Sequence, residues 1–314
     1  MGLKIERGVK RGAVRGLLYG TEGIGKSTIA AQWPTPLILD TEDGTRQLDC
    51  ARVRCHDWQT LQGALLDLTG DPQGFETVVI DSVDWAERLI LEHMLKKSGK
   101  RSIEDYPFGK GYVMLAEHVG EVLATADRLI DRGVHVLFVG HSHVKRTTPP
   151  DMEEGWDRYE LKLSRQVAPL FREWADLLLF ANYRTRLVEG SNGRMRAKGG
   201  KERILYAERT AAFDAKNRFG LPAEMPMAID SLAGIFSAPA PAVRVTASVD
   251  DLRDTITAAI SKAKTVAKLG EIGDKLEVRL SEGKISEDDY AEFMGALNAR
   301  HQEIEPAKGT GVAR

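Results

Sequence analysis

The sequence predicts an α/β protein with a mainly parallel central sheet, followed by a small C-terminal helical domain. Short apolar runs alternate with helix-forming runs, a glycine-rich segment follows the first apolar run, and a Pro/Ala segment precedes three amphipathic runs. Repeated strand–helix alternation builds a parallel sheet that is covered on both faces. The predicted domains are a core at 1–235, a linker at 236–249, a helical accessory domain at 250–305 and a flexible tail at 306–314.

The first predicted strand and helix flank a phosphate-binding loop (P-loop). Val14–Tyr19 can form a buried strand, and Ser27–Trp33 suits a helix that stops before Pro34. Between them stands a complete G-x-x-x-x-G-K-[ST] pattern, in which Lys26 reaches the β- and γ-phosphate oxygens and the Ser27 hydroxyl binds Mg²⁺. The pattern therefore predicts a nucleoside triphosphate site. Its predicted contacts are Gly20, Thr21, Glu22, Gly23, Ile24, Gly25, Lys26, Ser27 and Thr28.

Two further apolar runs end in acidic residues. Phe75–Ser82 carries Asp81 at its carboxyl end, where it would face the ligand crevice of an open α/β sheet and bind Mg²⁺. Pro36–Glu42 follows the P-loop helix, so Glu42 could orient or deprotonate the attacking water. The alternatives are that Asp81 only caps a helix and that Glu42, with Asp40 and Asp43, belongs to a polar surface turn.

The later segments continue the alternation. After Asp81 the pattern predicts two helices around a loop, an apolar strand, a long loop, a helix kinked at Pro169 and another buried strand. These helices and strands are 83–97, 112–131, 134–140, 163–174 and 176–181, with the long loop at 142–159. The accessory domain has predicted helices at 250–269, 271–280 and 286–300. Ser286 with Asp289 is a capping signal for the last helix, and the domain is interpreted as a packing or oligomer-stabilising module.

Composition limits the class of function. A hydrophobic content of 42% with 29% charged residues is ordinary for a soluble globular protein. No apolar run approaches the roughly 18 residues of a membrane helix, and the first residues lack an apolar signal core, which predicts a cytoplasmic protein without membrane contact. Cys50 and Cys55 are expected to be reduced thiols. A net charge of −2 means that any DNA site must be local.

Positive charge is most concentrated in a predicted hairpin between strands near 183–188 and 202–207. Several glycines indicate that its tip is a turn. The hairpin could contact DNA phosphates, or it could simply be a solvated tip. Its basic residues are Arg184, Arg186, Arg194, Arg196, Lys198, Lys201 and Arg203.

The order of these motifs resembles the RecA recombinase family. Asp40–Glu42 after the P-loop helix and Asp81–Ser82 after the next apolar run stand where that family carries its catalytic glutamate and its Walker B aspartate. The chain is similar to the reduced, phage-encoded branch of AAA-family or RecA-like ATP-binding proteins, which includes single-strand annealing proteins. The likeness runs from about Gly16 to Pro226 and includes Pro107–Tyr112, Val139–His143, Asp157–Leu163, Glu173–Asp176 and Ala215–Pro222.

The resemblance implies two loops that contact single-stranded DNA. In Pro107–Tyr112, Lys110 could contact phosphate and Tyr112 could stack on a base. The second loop, His143–Asp157, is acidic overall, which departs from the expectation for a DNA contact. Its basic residues are Lys145 and Arg146, and its acidic residues are Asp151, Glu153, Glu154 and Asp157. Both segments could instead be connecting loops.

Three more residues take their predicted roles from the resemblance. His141, at the carboxyl end of a central strand, is similar to the polar residue that senses the γ-phosphate. Lys216 and Arg218 resemble a basic-x-basic segment that reaches across a subunit interface to the neighbour's γ-phosphate. A capped strand end and an ordinary basic turn are the alternatives. His141 and His143 lie two residues apart, but no third ligand at a convincing spacing supports a metal site.

Together these features predict a RecA-like ATPase that uses ATP and Mg²⁺ and acts on single-stranded DNA in recombination or strand annealing. The resemblance implies a homo-oligomer, either a ring or a filament, in the cytoplasm of a bacterial host, with a single-stranded DNA-binding protein as a candidate partner. Two alternatives stay open. One is a P-loop kinase acting on a small molecule, and the other is an ATP-gated DNA- or protein-binding module that does not hydrolyse ATP.

Overall fold

One sheet organises the N-terminal part of the protein in the computed structural model. The model describes residues 12–148, 154–189, 195–236, 256–257, 259–263, 265–281 and 286–304. The chain forms two compact units, Met1–Val243 and Arg244–Arg314. The predicted linker at 236–249, apart from Phe236, and the predicted tail at 306–314 lie outside the described residues.

The sheet consists mainly of parallel strands, which confirms the predicted fold class. The strand order is β10-β8-β7-β1-β5-β4-β2-β3, with β6 paired to β5 and β9 paired to β7. The six strands from β7 to β3 run parallel, and β6, β8, β9 and β10 pair antiparallel. The strands are β1 Arg15–Gly20, β2 Pro36–Asp40, β3 Ala51–Arg54, β4 Thr77–Asp81, β5 His135–Thr147, β6 Trp156–Leu161, β7 Leu177–Glu189, β8 Met195–Tyr206, β9 Lys216–Asn217 and β10 Glu224–Pro226.

Helices cover both faces of this sheet. Leu17 and Tyr19 of β1 belong to one apolar core with residues of α2, α3, α4 and α5, while Leu18 belongs to the opposite core with residues of α1. Adjacent strand residues point to opposite faces, so a strand covered on both faces must be apolar throughout. The helices are α1 Lys26–Ala30, α2 Trp58–Gly70, α3 Val83–Ser98, α4 Lys110–Asp131, α5 Ala168–Trp174, α6 Ala233–Phe236, α7 Val266–Ser281 and α8 Glu287–Ile304.

The strand register brings three of the predicted site residues, Gly20, Asp81 and His141, to one edge of the sheet. Gly20 pairs with His141, and Asp40 pairs with Asp81. Asp81 in turn pairs with Val139, two residues before His141. Parallel strands end at the same edge, so the ends of β1, β2, β4 and the apolar part of β5 meet there.

Two elements between the P-loop helix and Asp81 were not predicted. β3 is an edge strand with the half-exposed sequence Ala-Arg-Val-Arg, which carries little apolar signal. α2 does have a readable signal, because Trp58, Leu61, Leu65 and Leu68 recur at helical spacing and are buried. Its first turn is also capped by Asp57, whose carboxylate accepts from the Thr60 backbone N–H at 2.8 Å.

The predicted loop at 142–159 is wrong for most of its length. β5 continues to Thr147 and forms an antiparallel hairpin with β6, and residues 149–153 lie outside the described residues. The hairpin is half-exposed, so its polar sequence hides the strand pattern. Cross-strand ion pairs connect Lys145 to Glu160 at 3.1 Å and Arg146 to Asp157 at 3.8 Å.

Several predicted boundaries also differ. α1 ends at Ala30 rather than Trp33, because the backbone N–H groups of Gln32 and Trp33 donate to carbonyls three residues earlier instead of four. α5 begins at Ala168 rather than at Leu163. The predicted strand at 176–181 and the first predicted hairpin strand form one long strand, β7, and the second hairpin strand is β8. The pairing of β7 with β8 shifts register between Tyr183 and Thr185.

The C-terminal unit is helical, as predicted. α7 continues through Gly270, so the predicted break between two helices at that position is wrong. Before α8, the Asp289 backbone N–H donates to the Ser286 hydroxyl at 3.1 Å, which is the predicted cap. The unit has its own apolar core, formed by Ile256, Ile260, Ala263, Leu269, Leu276, Phe293 and Leu297.

Candidate nucleotide site

The P-loop joins β1 to α1 at the carboxyl edge of the sheet. Gly20 ends β1 between His141 of β5 and Ala181 of β7. A Cβ atom at Gly20 would lie only 2.1 Å from the Ala181 carbonyl oxygen, so no side chain fits there. Gly23 and Gly25 have φ angles of 71° and 103°, in the region that glycine adopts without steric cost. The backbone therefore requires the glycines of the motif.

Lys26 lies inside the loop. Its side chain is 5% exposed, and its Nζ atom donates to the carbonyl oxygens of Gly20 at 3.3 Å and Thr21 at 3.0 Å. Burial is the main cause that lowers the pKa of Lys26, and the carboxylates of Asp81 and Asp84 act in the opposite direction. The ammonium group can exchange its two carbonyl partners for phosphate oxygens.

Asp81 and Ser27 form a site that fits a divalent cation. Asp81 is 2% exposed, and burial raises the pKa of its carboxyl group to about 6, although a hydrogen bond with Ser27 acts to lower it. The buried Oδ2 atom of Asp81 has no hydrogen-bond partner among the described residues. Mg²⁺ takes oxygen ligands and keeps several waters or phosphate oxygens, so one carboxylate and one hydroxyl suffice as protein ligands. Asp81 and Ser27 therefore fit Mg²⁺.

We expect Asp81→Asn to raise the free energy of unfolding above pH 6 by roughly 1–3 kcal/mol in the absence of nucleotide and metal. Because the pKa of Asp81 is raised, the folded protein binds more protons than the unfolded chain between about pH 4 and 6. Wild-type stability should therefore fall as the pH rises through this interval, and asparagine should remove that fall. Urea denaturation between pH 4 and 8, with EDTA, measures both effects.

Asp43→Asn is the matched control. A hydrogen bond from Arg46 lowers the pKa of the half-buried Asp43 carboxyl, so its replacement should decrease rather than increase stability above about pH 4. Identical pH dependence in wild type and Asp81→Asn would contradict the burial argument.

A tight turn after β2 carries Glu42. Asp40 is buried, and its carboxylate accepts from the backbone N–H groups of Glu42, Gly44 and Thr45 at 3.1–3.2 Å. Asp40 is thus a structural residue rather than part of a polar surface turn. The Oε2 atom of Glu42 accepts from the Ser82 hydroxyl at 3.2 Å. Both strand ends therefore hold the Glu42 carboxylate beside the P-loop.

Ser82 and Asp84 connect Glu42 to His141. The Ser82 hydroxyl can donate to Glu42 or to Asp84. Asp84 accepts from the His141 backbone N–H at 3.1 Å, and its Oδ2 atom lies 3.0 Å from His141 Nδ1. The hydrogen bond with Asp84 raises the pKa of His141. Burial alone would raise the pKa of Asp84, but its hydrogen bond and charge interaction with His141 lower that pKa overall. A continuous polar chain thus runs from the end of β2 to β5.

Lys216 and Arg218 lie at the opposite end of the sheet. Lys216 belongs to β9, which pairs with the amino end of β7. Its Nζ atom donates to backbone carbonyls at the end of α5, and burial is the main cause that lowers its pKa. Arg218 forms an ion pair with Asp176, with an Nη1–Oδ1 distance of 2.6 Å. The structure therefore does not bring this pair to the P-loop of its own chain.

The first predicted DNA loop, Pro107–Tyr112, is a loop only up to Gly109, because Lys110 and Tyr112 lie in the first turn of α4. We call residues 99–109, between α3 and α4, the aromatic loop. Tyr106 anchors it, since its hydroxyl bonds to the Met94 carbonyl at 3.1 Å and to Ser98 Oγ at 2.8 Å. Phe108 is 99% exposed and has a φ of 56°, an uncommon conformation for a bulky residue. The Tyr112 hydroxyl donates to Glu104 instead. Phe108 is thus the fully exposed aromatic of this segment.

In the other two predicted DNA segments, basic side chains are already paired with acidic side chains of the same chain. Lys145 and Arg146 each pair with an acid of β6, as described above. In the basic hairpin, Arg184 pairs with Glu202 at 3.2 Å and Glu224 at 3.4 Å. The side chains between residues 185 and 199 lie outside the described part of the chain.

The sequence did not single out Asp40 or Asp84 as site residues. The run of acids after β2 did not reveal which carboxylate is buried. Asp84 looked like an ordinary residue of a helical first turn, because its partner His141 is 57 residues away. No pattern over one element predicts such a long-range contact.

The parallel sheet, the P-loop after β1 and the buried acid at the end of β4 define an α/β nucleotide-binding core of the P-loop class. Residues 13–219 match the family described as AAA domain, which is more than half of the chain, and the protein belongs to that family. It is accordingly a nucleotide-binding ATPase by family.

Among solved structures, the chain is similar to the flagellar accessory protein FlaH from Methanocaldococcus jannaschii. The two share 12% identity over 65% of this chain and 84% of FlaH, with a TM-score of 0.33. No curated protein matches the chain. In the described part of the chain, no helix has the length and apolarity that crossing a membrane requires.

Proposed function

We propose that this protein hydrolyses ATP with Mg²⁺, binds single-stranded DNA, and works as a cytoplasmic homo-oligomer in recombination or strand annealing. Lys26 binds the β- and γ-phosphates, and Ser27 and Asp81 hold the metal ion. Glu42 orients the attacking water and accepts its proton. These roles are supported by the position of all four side chains at one edge of the sheet.

Bound Mg²⁺ would supply positive charge to the phosphate oxygens as the bond to the γ-phosphate breaks. Lys26 adds a second positive charge from within the loop. The Ser82 hydroxyl keeps the Glu42 carboxylate at the strand ends, where a carboxylate can accept a proton from water. His141 is bonded to Asp84 and pairs with Gly20, and this position supports a role for it in responding to the γ-phosphate.

The exposure of Phe108 is the observation that carries the DNA part of the proposal. An aromatic side chain that is 99% exposed on an anchored loop contributes nothing to the core of its own chain. Its positive φ also costs energy relative to a glycine at that position. Unpaired bases stack on exposed aromatic rings with a contribution of about 1–3 kcal/mol per base. A single-stranded nucleic acid therefore suits this side chain.

The charge around Phe108 supports the same partner. The whole chain has a net charge of −2, but basic residues outnumber acidic ones between residues 96 and 112. Lys110 is exposed, and the Asp105 carboxylate is already occupied by the backbone N–H groups of Arg101 and Ser102. The basic residues of the segment are Lys96, Lys97, Lys100, Arg101 and Lys110. They can contact the phosphates that flank a stacked base.

We expect Phe108→Ala to weaken binding of single-stranded DNA by about tenfold or more, because one stacked base is lost. Binding should favour single strands over duplex and should weaken steeply with salt. Fluorescence anisotropy of a labelled oligothymidine, titrated at several salt concentrations, measures this. Leu66→Ala, which removes an exposed apolar side chain from α2, should leave the affinity unchanged. Equal affinities of Phe108→Ala and wild type would remove the aromatic loop from the DNA site.

ATP turnover with and without single-stranded DNA tests the function as a whole. Stimulation by single strands supports it. Stimulation by a small metabolite but not by DNA would favour a P-loop kinase. Tight ATP binding without turnover under any nucleic-acid condition would favour a module that does not hydrolyse ATP.

A further inference from the structure

Arg203 of β8 lies against the P-loop, although the two are far apart in sequence. Its Nη1 atom donates to the Ile24 carbonyl oxygen at 3.3 Å, across a sequence separation of 179 residues. A Cβ atom placed on Gly25 would lie 2.7 Å from the same Nη1 atom. The guanidinium group thus occupies the space that the missing side chain of Gly25 leaves open.

The sheet brings Arg203 to this position. In the antiparallel pair of β7 and β8, Leu205 lies opposite Ala181, which pairs with Gly20 at the end of β1. Arg203 and Leu205 are two residues apart, so their side chains point to the same face. Leu205 packs in the core cluster that contains Ile24. Arg203 therefore lies beyond the end of β1, on the side of the sheet that carries α1.

The contact with Ile24 uses little of the binding capacity of Arg203. A guanidinium group has five N–H donors in a planar fork. Within the described part of the chain, Arg203 forms no ion pair with a carboxylate. A second cation, Lys26, is buried in the same loop. An anion bound at the loop would stabilise both positive charges.

We propose that Arg203 is a phosphate-binding residue of the nucleotide site, supplied by β8 of the same chain, and that it exchanges the Ile24 carbonyl for phosphate oxygens of ATP. Arginine suits this contact because its planar fork can bind two phosphate oxygens at once. The proposal rests on the P-loop as the ATP site and does not depend on DNA binding or oligomerisation. Under this proposal, Arg203 binds nucleotide and no longer belongs to the basic hairpin residues that could contact DNA.

The test is equilibrium binding of a fluorescent N-methylanthraniloyl derivative of ATP, without DNA, by the full-length protein. Arg203→Ala should raise the dissociation constant about tenfold or more, as expected when a hydrogen bond to a charged group is lost. Arg203→Lys should recover part of the affinity, because it keeps the charge but not the fork. Arg128→Ala, which removes an exposed arginine at the end of α4, should bind like wild type.

Competition with ADP, AMP and adenosine distinguishes a phosphate contact from a distorted loop. A phosphate contact requires that Arg203→Ala weakens ATP and ADP much more than adenosine. An unchanged dissociation constant for ATP, or an equal loss for ATP and adenosine, would overturn the proposal. A wild-type protein that does not bind ATP would overturn the P-loop assignment and this proposal together. A wild-type protein that binds ATP but not DNA would reject only the proposed DNA function.

Discussion

Replacing Glu42 with glutamine is expected to lower the rate of ATP hydrolysis by about a hundredfold or more, while ATP still binds. Glutamine keeps the size of the side chain and an oxygen that can accept from the Ser82 hydroxyl. In the wild type, Ser82 Oγ lies 3.2 Å from Glu42 Oε2. It cannot take a proton from the attacking water. Single-turnover hydrolysis, measured beside equilibrium ATP binding, separates the chemical step from affinity.

Two further variants are compared with Glu42→Gln to show that its effect is specific to the chemical step. Lys26→Ala should lose turnover together with phosphate affinity, because the ammonium group lies inside the loop. Asp43→Asn changes a carboxylate of the same turn that is paired with Arg46 and Arg54, and its turnover should stay close to wild type. If Glu42→Gln and wild type hydrolyse ATP equally, Glu42 is only a turn residue.

Lys216 and Arg218, changed together to alanine, should leave ATP binding intact and abolish turnover. The pair lies at the amino end of the parallel strands, and β1 with its six residues separates that end from the P-loop by roughly 15–20 Å. A role in catalysis therefore requires a neighbouring subunit. Activity of the wild type should accordingly rise more than linearly with protein concentration, as a dilution series of the ATPase rate would show.

Mixing two inactive proteins gives the sharpest form of this test. Under the proposed mechanism, Glu42→Gln lacks its own water-activating group but still offers its basic pair to a neighbour. In an equal, random mixture with the Lys216/Arg218 double variant, about a quarter of the interfaces combine an intact Glu42 with an intact basic pair. Turnover should recover to at most about that fraction of the wild-type rate. No recovery, with mixed oligomers shown to form, would return both residues to an ordinary basic turn.

Local patterns in the sequence predicted the parallel core well. β1, β4 and the first half of β5 are covered on both faces, so they must be apolar throughout, and such runs are visible in any sequence. The P-loop motif was equally visible, because its glycines satisfy a backbone need within eight consecutive residues. Half-exposed strands such as β3 and β6 lack that constraint, and the sequence predicted neither.

By itself, the sequence determined the fold class, the P-loop with Lys26 and Ser27, and the acids at the ends of two strands. Only the tertiary structure decided which of those acids are buried, and it alone brought Asp84 to His141 and Arg203 to Ile24. The physical reason is the range of the interactions. A motif consists of neighbouring residues, whereas the contacts of Asp84 and Arg203 arise from the order and register of strands that are distant in the chain.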